Sequence, residues 1–292
     1  MITVIGDLVV DIIVKHNGMH FATDSESSIT THAGGQANNV ASWIALTGGR
    51  STLIGRVGDD VNADFLIRHA EDIGVTLKLH RDETHETGKI VILVDDEESE
   101  RTMFTDRGAN RHLNMQQIHH AQDTIKDSSC LYLSGYSLFE DTTREALETA
   151  KQIAKQHGVP IAVDPSSTYF LRNHKQTMLS FIDGIDYFFP NLEEGQLLTG
   201  ETEPKAVLAA LSDIVRHPVL KLGSEGCMVM LENNIHVIPA PTIEAIDTTG
   251  AGDAFIAAFL KNYMEEKDLI EAAKFANLTA SKVVQRIGAK GS

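Results

Sequence analysis

Cysteine is scarce in this sequence: only Cys130 and Cys227 occur among 292 residues. Two cysteines build no disulfide framework, and Cys130 lies in the apolar run CLYL. Both are expected to be small buried hydrophobes of a protein kept in a reducing cytoplasm. Basic residues are also few. Against 41 Asp and Glu stand 25 Lys and Arg, and 25 − 41 leaves a formal charge of −16. A field of that sign repels nucleic-acid backbones and anionic lipid surfaces. Neither a nucleic acid nor a membrane is therefore the expected partner, and an anionic substrate needs a local cation or a metal ion. No stretch approaches the roughly 20 uncharged apolar residues of a membrane span. The N-terminal MITVIGDLVVDIIV is apolar, but it carries Asp7 and Asp11 and has neither a basic leader nor a small-residue cleavage site. It is expected to be a first strand rather than a signal.

What is present belongs to a folded protein, with 42% hydrophobic and 23% charged residues. Internal repeats and linker-like tracts rich in Pro, Gly and Ser are lacking, so one unit over residues 1–292 is expected. Short apolar runs at 2–6, 51–58, 130–135, 160–164, 186–190 and 218–223 alternate with helical patterns near 37–47, 60–72, 142–157 and 204–216. That rhythm predicts an α/β fold with a mostly parallel sheet and crossover helices. Residues 9–35 and 87–106 interrupt it. The second region reads as a hairpin around the acidic turn Asp95, Asp96, Glu97 and Glu98, and the two together predict a small separate sheet that would serve as a lid. Beyond Asp247 the pattern is helical, at 251–264 and 268–285.

The junction AIDTTGAGDAFIAAFL joins an extended entry to a helix through Gly250 and Gly252. Glycines let a ligand approach the backbone, and the free N–H groups and positive dipole end of the helix make an anion hole. Asp253 sits in its first turn. An acid there suits the helix dipole structurally, but an anion cradle beside a carboxylate is also what phosphoryl transfer requires. GAGDAF ends in Phe255 rather than Gly, no GxxxxGK[ST] loop occurs, and the HRD and DFG triplets of protein kinases are absent.

DTTGAGDAF (247–255) resembles the C-terminal signature of the ribokinase-like, phosphofructokinase-B type carbohydrate kinases, and AGGQANNVASWIALTGGRSTLIGRVGDD (33–60) resembles their N-terminal signature. The resemblance implies a ribokinase-like doubly wound sheet with helices on both faces and a small β-sheet lid. It implies an enzyme that moves the γ-phosphoryl group of ATP to a sugar hydroxyl, with Asp253 as catalytic base and Gly250, Ala251 and Gly252 as anion hole. An ordinary Asp, with a pKa of about 3.9, is a weak base, so its contribution is expected from positioning. By the same resemblance Asp247 and Thr249 help bind a monovalent cation, K+. Asn191 and Glu194 of the NxxE element organise Mg2+, mainly through water, although Asn191 followed by Glu194 is also a helix capping box.

Lys221, Gly223, Gly226 and Asn277 match nucleotide-binding positions, and Asp11, Gly34, Gly35 and Asn39 match sugar-binding positions. Tyr136 stands where ribokinases proper carry an acid, and Val9 where they carry Asn, which removes ribose as the default acceptor. Arg101 and Arg107 lie where relatives that act on acidic sugars such as 2-keto-3-deoxygluconate place arginines. The histidines, His16 and His20 and then His119 and His120, form no metal set and read as surface residues. The expected acceptor is thus a sugar or sugar acid, 2-keto-3-deoxygluconate, fructose or similar. A nucleoside kinase of the same fold is the alternative, for which the aromatic residues near the lid are only Phe21 and Phe104. A non-catalytic sugar-binding sensor is the second. The family often dimerises through the lid, so a homodimer is also an expected partner.

Overall fold

The computed structural model describes residues 1–18, 20, 22–95 and 101–285, with the Arg101 side chain excepted. Phe21, the tip of the acidic turn at Asp96, Glu97 and Glu98, and the Arg101 side chain lie outside the described residues. The chain opens with β1 (Ile2–Ile5), every residue of it buried, and at once leaves the main sheet for β2 (Val9–His16) and β3 (Ser27–Gly34). It returns through α1 (Gln36–Leu46), β4 (Ser51–Gly58), α2 (Val61–Ile73) and β5 (Thr76–Asp82). A second excursion makes β6 (Thr87–Asp95) and β7 (Arg101–Gly108). The alternation resumes with α3 (Met115–His120), α4 (Gln122–Lys126), β8 (Cys130–Ser134), α5 (Asp141–Gln156), β9 (Ile161–Asp164), α6 (Thr168–Ile182) and β10 (Tyr187–Phe188). The rest is α7 (Leu192–Thr199), α8 (Pro204–Ser212), β11 (His217–Lys221), β12 (Cys227–Leu231), β13 (Asn234–Ile238), α9 (Ala251–Glu266) and α10 (Leu269–Val283).

Nine strands form the main sheet in the order β13-β12-β11-β10-β9-β8-β1-β4-β5. All pairs from β5 across to β11 are parallel, and β12 and β13 add an antiparallel hairpin at the edge. Strands buried on both sides read as near-continuous apolar runs, and β1, β8 and β9 do, apart from Thr3 and the terminal Ser134 and Asp164. Side chains of α1, α2, α9 and α10 fill the core on one face, and those of α3 through α8 the core on the other. β1 lies between β4 and β8, so strand order reverses there and the carboxyl ends open a crevice. The small sheet, ordered β3-β2-β6-β7, is built from the two interruptions read in the sequence. Among the described residues no helix is long and apolar enough to cross a membrane.

Three strands escaped the sequence reading. β5 is TLKLHRD, largely polar, and β12 and β13 turn through Glu232 and Asn233, both at positive φ (51° and 62°) without the glycine that marks such hairpins. His16 is corrected: it is 7% exposed, because β2 runs between β3 and β6, and its ring lies 3.9 Å from Asp95. Both cysteines are buried and free, and burial pushes the Cys227 thiol up to about 12.

Candidate active site

Gly250, at φ 75°, turns the chain into α9, and Asp253 follows in the first helical turn. The turn is pinned from behind, since Asp247 Oδ1 accepts from Thr249 N (2.9 Å) and Thr249 Oγ1 (2.7 Å). A Cβ on Gly252 would stand 3.7 Å from Lys221 Nζ, so the ammonium lies against the start of the helix. A cation and the positive end of a 16-residue helix therefore share one spot, where negative charge is favoured. Asp253 Oδ2 accepts a 2.8 Å hydrogen bond from Asn39 Nδ2 of α1, which joins the two signature segments directly. Burial pushes the Asp253 carboxyl up to about 7; Asn39 and Lys221 oppose the rise, while Asp164 and Asp7 add to it. The Asp253 carboxyl is thus not at the ordinary Asp value expected from sequence, because its environment disfavours the charged form.

Behind Lys221 runs a polar network that the sequence did not reveal. Lys221 Nζ pairs with Asp164 Oδ2 at 2.5 Å, and Asp164 Oδ1 accepts from Gln36 Nε2 (2.7 Å) and Ser166 N (2.8 Å). Gln36 Oε1 in turn accepts from Ser134 Oγ (2.6 Å) and Ser166 Oγ (2.7 Å). Ser134 and Asp164 end β8 and β9, so the sheet itself sets their spacing. Asn191 and Glu194 close a capping box on α7, with Asn191 N on Glu194 Oε2 and Glu194 N on Asn191 Oδ1, each 2.8 Å. Burial and the neighbouring Asp164 push the Glu194 carboxyl up. The box adjoins Lys221 through a strand-like bridge between Asn191 and Lys221. Among the described residues no group of three or more His, Cys, Asp and Glu is arranged to hold a metal alone.

On one side of the α9 turn lies a pocket of 330 Å3, lined among others by Gly223, Gly226, Ala251, Gly252, Phe255 and Asn277. Asn277 is only 4% exposed and its Nδ2 donates to Ile238 O at 2.9 Å, so the amide fixes the pocket wall. On the other side a Cβ on Gly34 would collide with the Asp11 carboxylate, and one on Gly35 would press on the Asp7 carbonyl. Both glycines are therefore required by close approach. Arg107 reaches down from β7 to Asp7, with Nη1 3.3 Å from Oδ2, and its guanidinium carbon lies 3.9 Å over the Tyr136 ring. Burial pushes the Tyr136 hydroxyl well above its ordinary range. The Arg101 side chain lies outside the described residues; its backbone pairs with Val94 at the other end of β7, roughly 20 Å along the strand from Arg107.

Asp7, Gln36, Ser134 and Asp164 are the participants that sequence reading missed. Their signal was positional: each follows or ends a central strand, or follows the glycine pair, at the crevice where open α/β sheets bind ligands.

These features place the protein among small-molecule kinases. Its whole length, residues 1–292, matches the sequence profile of the pfkB family carbohydrate kinases, and the chain belongs to that family. It is 28% identical over 300 residues to a deoxyribokinase of Salmonella typhi, covering 100% of this chain and 94% of that one. It is 30% identical over 266 residues to a ribokinase of Haemophilus influenzae, covering 89% and 83%. Among solved structures, the adenosine kinase of Sinorhizobium meliloti superposes with a TM-score of 0.89 at 25% identity, over 99% of this chain and 94% of that one. The protein is a sugar or nucleoside kinase of this family, with the ribokinase-like fold expected.

Proposed function

We propose that the protein transfers the γ-phosphoryl group of ATP to a hydroxyl of a sugar or sugar acid, with Asp253 as base. The observation that carries this reading is the Asp253 carboxyl, raised to about 7 and held by Asn39 at the anion-binding start of α9. In the proposed reaction Asp253 accepts the proton of the acceptor hydroxyl as the oxygen attacks the γ-phosphorus and the bond to the β-phosphate oxygen breaks. The N–H groups of Gly250, Ala251 and Gly252, together with Lys221, stabilise the charge on the transferring group. The 330 Å3 pocket at Gly223, Gly226 and Asn277 takes the nucleoside end of ATP. Mg2+, when bound, neutralises phosphate charge; Asn191 and Glu194 would face it through water, consistent with an ion held largely by phosphates. Asp11, Gly34, Gly35 and Asn39 hold the sugar, and the small sheet closes over it to exclude competing water. Two copies pair through their small sheets, where Ile29, Met103 and Phe104 are exposed.

The test is ADP formation from ATP with ribose, 2-deoxyribose, fructose, 2-keto-3-deoxygluconate and adenosine offered separately. Turnover of one or more sugars is expected. Turnover of adenosine alone would replace this reading by a nucleoside kinase, and sugar binding without any ADP would replace it by a sensor.

A further inference from the structure

The Asp7 carboxylate, 3% exposed, pairs with Arg107, which among the described side chains is the cation that reaches into the acceptor end from the small sheet. We propose that the acceptor is electrically neutral, and that Asp7 enforces this by engaging the Arg107 guanidinium which an anionic acceptor would require. The inference rests on the sugar-kinase reading above and names the substrate class for the same site.

Asp7 is held from four directions. Oδ1 accepts from Ser134 Oγ (3.1 Å) and Ala37 N (3.3 Å), and Oδ2 from Gln36 N (3.4 Å) and Arg107 Nη1 (3.3 Å). Two of these donors are the first N–H groups of α1, where the helix dipole favours a carboxylate. Arg107 is equally confined: its side chain is 15% exposed, and its guanidinium carbon lies 3.9 Å over the Tyr136 ring and 5.7 Å from the Phe170 ring centre. An acid on the acceptor would compete with Asp7 for the guanidinium, and any pairing that draws Arg107 off Asp7 strands a buried charge, which is strongly unfavourable.

The remaining charges point the same way. Asp11 covers Gly34, Asp253 stands at the phosphoryl end, and Lys221 is bound to Asp164. An acceptor carboxylate or phosphate would enter beside Asp7, Asp11 and Asp253, and like charges brought together at short range cost affinity. A neutral polyol meets no such barrier. Carboxylates accept hydrogen bonds and only accept, so hydroxyls are their natural partners.

The experiment compares kcat/KM for neutral sugars (ribose, 2-deoxyribose, fructose) with that for 2-keto-3-deoxygluconate and gluconate, in wild type, Asp7→Asn, Arg107→Gln and the double variant. An Asn at position 7 keeps an oxygen for the helix N–H groups while removing the charge. Wild type is expected to favour a neutral sugar by at least about tenfold, and Asp7→Asn to shift the ratio toward the acids by at least about tenfold by freeing Arg107. Adding Arg107→Gln should abolish that shift. Preference of wild type for an acid overturns the proposal, and so does an unshifted ratio in a folded Asp7→Asn. Should Asp7→Asn fail to fold, Arg107→Gln alone decides: selective loss of acid turnover would show that the guanidinium was free for acids after all, and no selective loss supports the proposal. Thermal stabilisation by each sugar without ATP separates the two layers. Stabilisation by neutral sugars only, without ADP formation from any acceptor, would sink the kinase reading and leave the neutral-ligand inference standing.

Discussion

At Asp253, the proposed base, the carboxylate would have to ionise to work, yet it sits partly buried where ionisation is costly. Burial raises it from 3.8 to about 7, so kcat/KM should climb with pH through about 7 as the base loses its proton. Replacing it by Asn should lower kcat by roughly 10² to 10⁴. The same shift has a stability consequence of definite sign. Between pH 3.8 and about 7 the folded protein keeps a proton that the unfolded chain has lost, so this group makes stability fall as pH rises through that window. Asp253→Asn should therefore be more stable than wild type at pH 8, by about 1–2 kcal/mol after allowing for partial solvent screening, with the gain vanishing near pH 4. Thermal melts at the two pH values check it, and a variant less stable than wild type at pH 8 would contradict the assigned environment. Asp253 itself was legible because its glycine turn is local in sequence. Its tuning was not, since Asp164 and Asp7 reach it only through the fold.

At the scale of elements, Asp60 holds Thr87 at the root of β6, accepting from its N (2.8 Å) and Oγ1 (2.7 Å), and a second carboxylate ties the segment that leads from β5 into the hairpin to the main sheet. Asp82, the last residue of β5, accepts from Arg56 Nε of β4 (2.7 Å), from Thr84 and from His85 Nδ1 (3.1 Å). Arg56 also donates to Gln117 of α3 (3.0 Å), and His85 stacks on His112 with ring centres 3.6 Å apart. Burial alone would raise the Asp82 carboxyl; the hydrogen bonds from Thr84, Arg56 and His85 outweigh it and hold the group well below its ordinary range. A depressed carboxylate contributes stability that is present at neutral pH and lost on acidification below the ordinary Asp value. Asp82→Asn should cost about 2–4 kcal/mol at pH 7, because it leaves Arg56 without its charge partner. Urea denaturation gives that figure, and hydrogen exchange should quicken first around residues 83–86 and 109–112; unchanged exchange there would refute the role. This root was hidden in the sequence, because β5 reads as a polar stretch and the charge partner of Asp82, Arg56, lies 26 residues away on β4. The hairpin was visible, because GKIVILVD and RTMF lie close together and differ sharply from the acidic residues between them. The β12–β13 hairpin, with the same local logic, was missed for want of a glycine in its turn.

For the molecule as a whole, the main sheet is covered on both faces by helices, whereas the small sheet is not. Ile29, Met103 and Phe104 are 64%, 59% and 59% exposed on its strands β3 and β7. Apolar side chains on an uncovered sheet favour association with a second surface of the same kind, and a two-fold pair satisfies both copies at once. The formal charge of −16 on each chain opposes that pairing through long-range repulsion. Salt screens this repulsion over about 8 Å at 0.15 M while leaving the apolar term intact. The proposed dimerisation through the small sheets should therefore strengthen as salt rises, the reverse of an interface built on ion pairs. Sedimentation velocity between 0.02 M and about 0.5 M salt tests this, with Phe104→Asp expected to weaken the dimer by about tenfold or more through a desolvated charge. Dimers that dissociate with added salt, or that are indifferent to Phe104→Asp, would assign the contact to a different face.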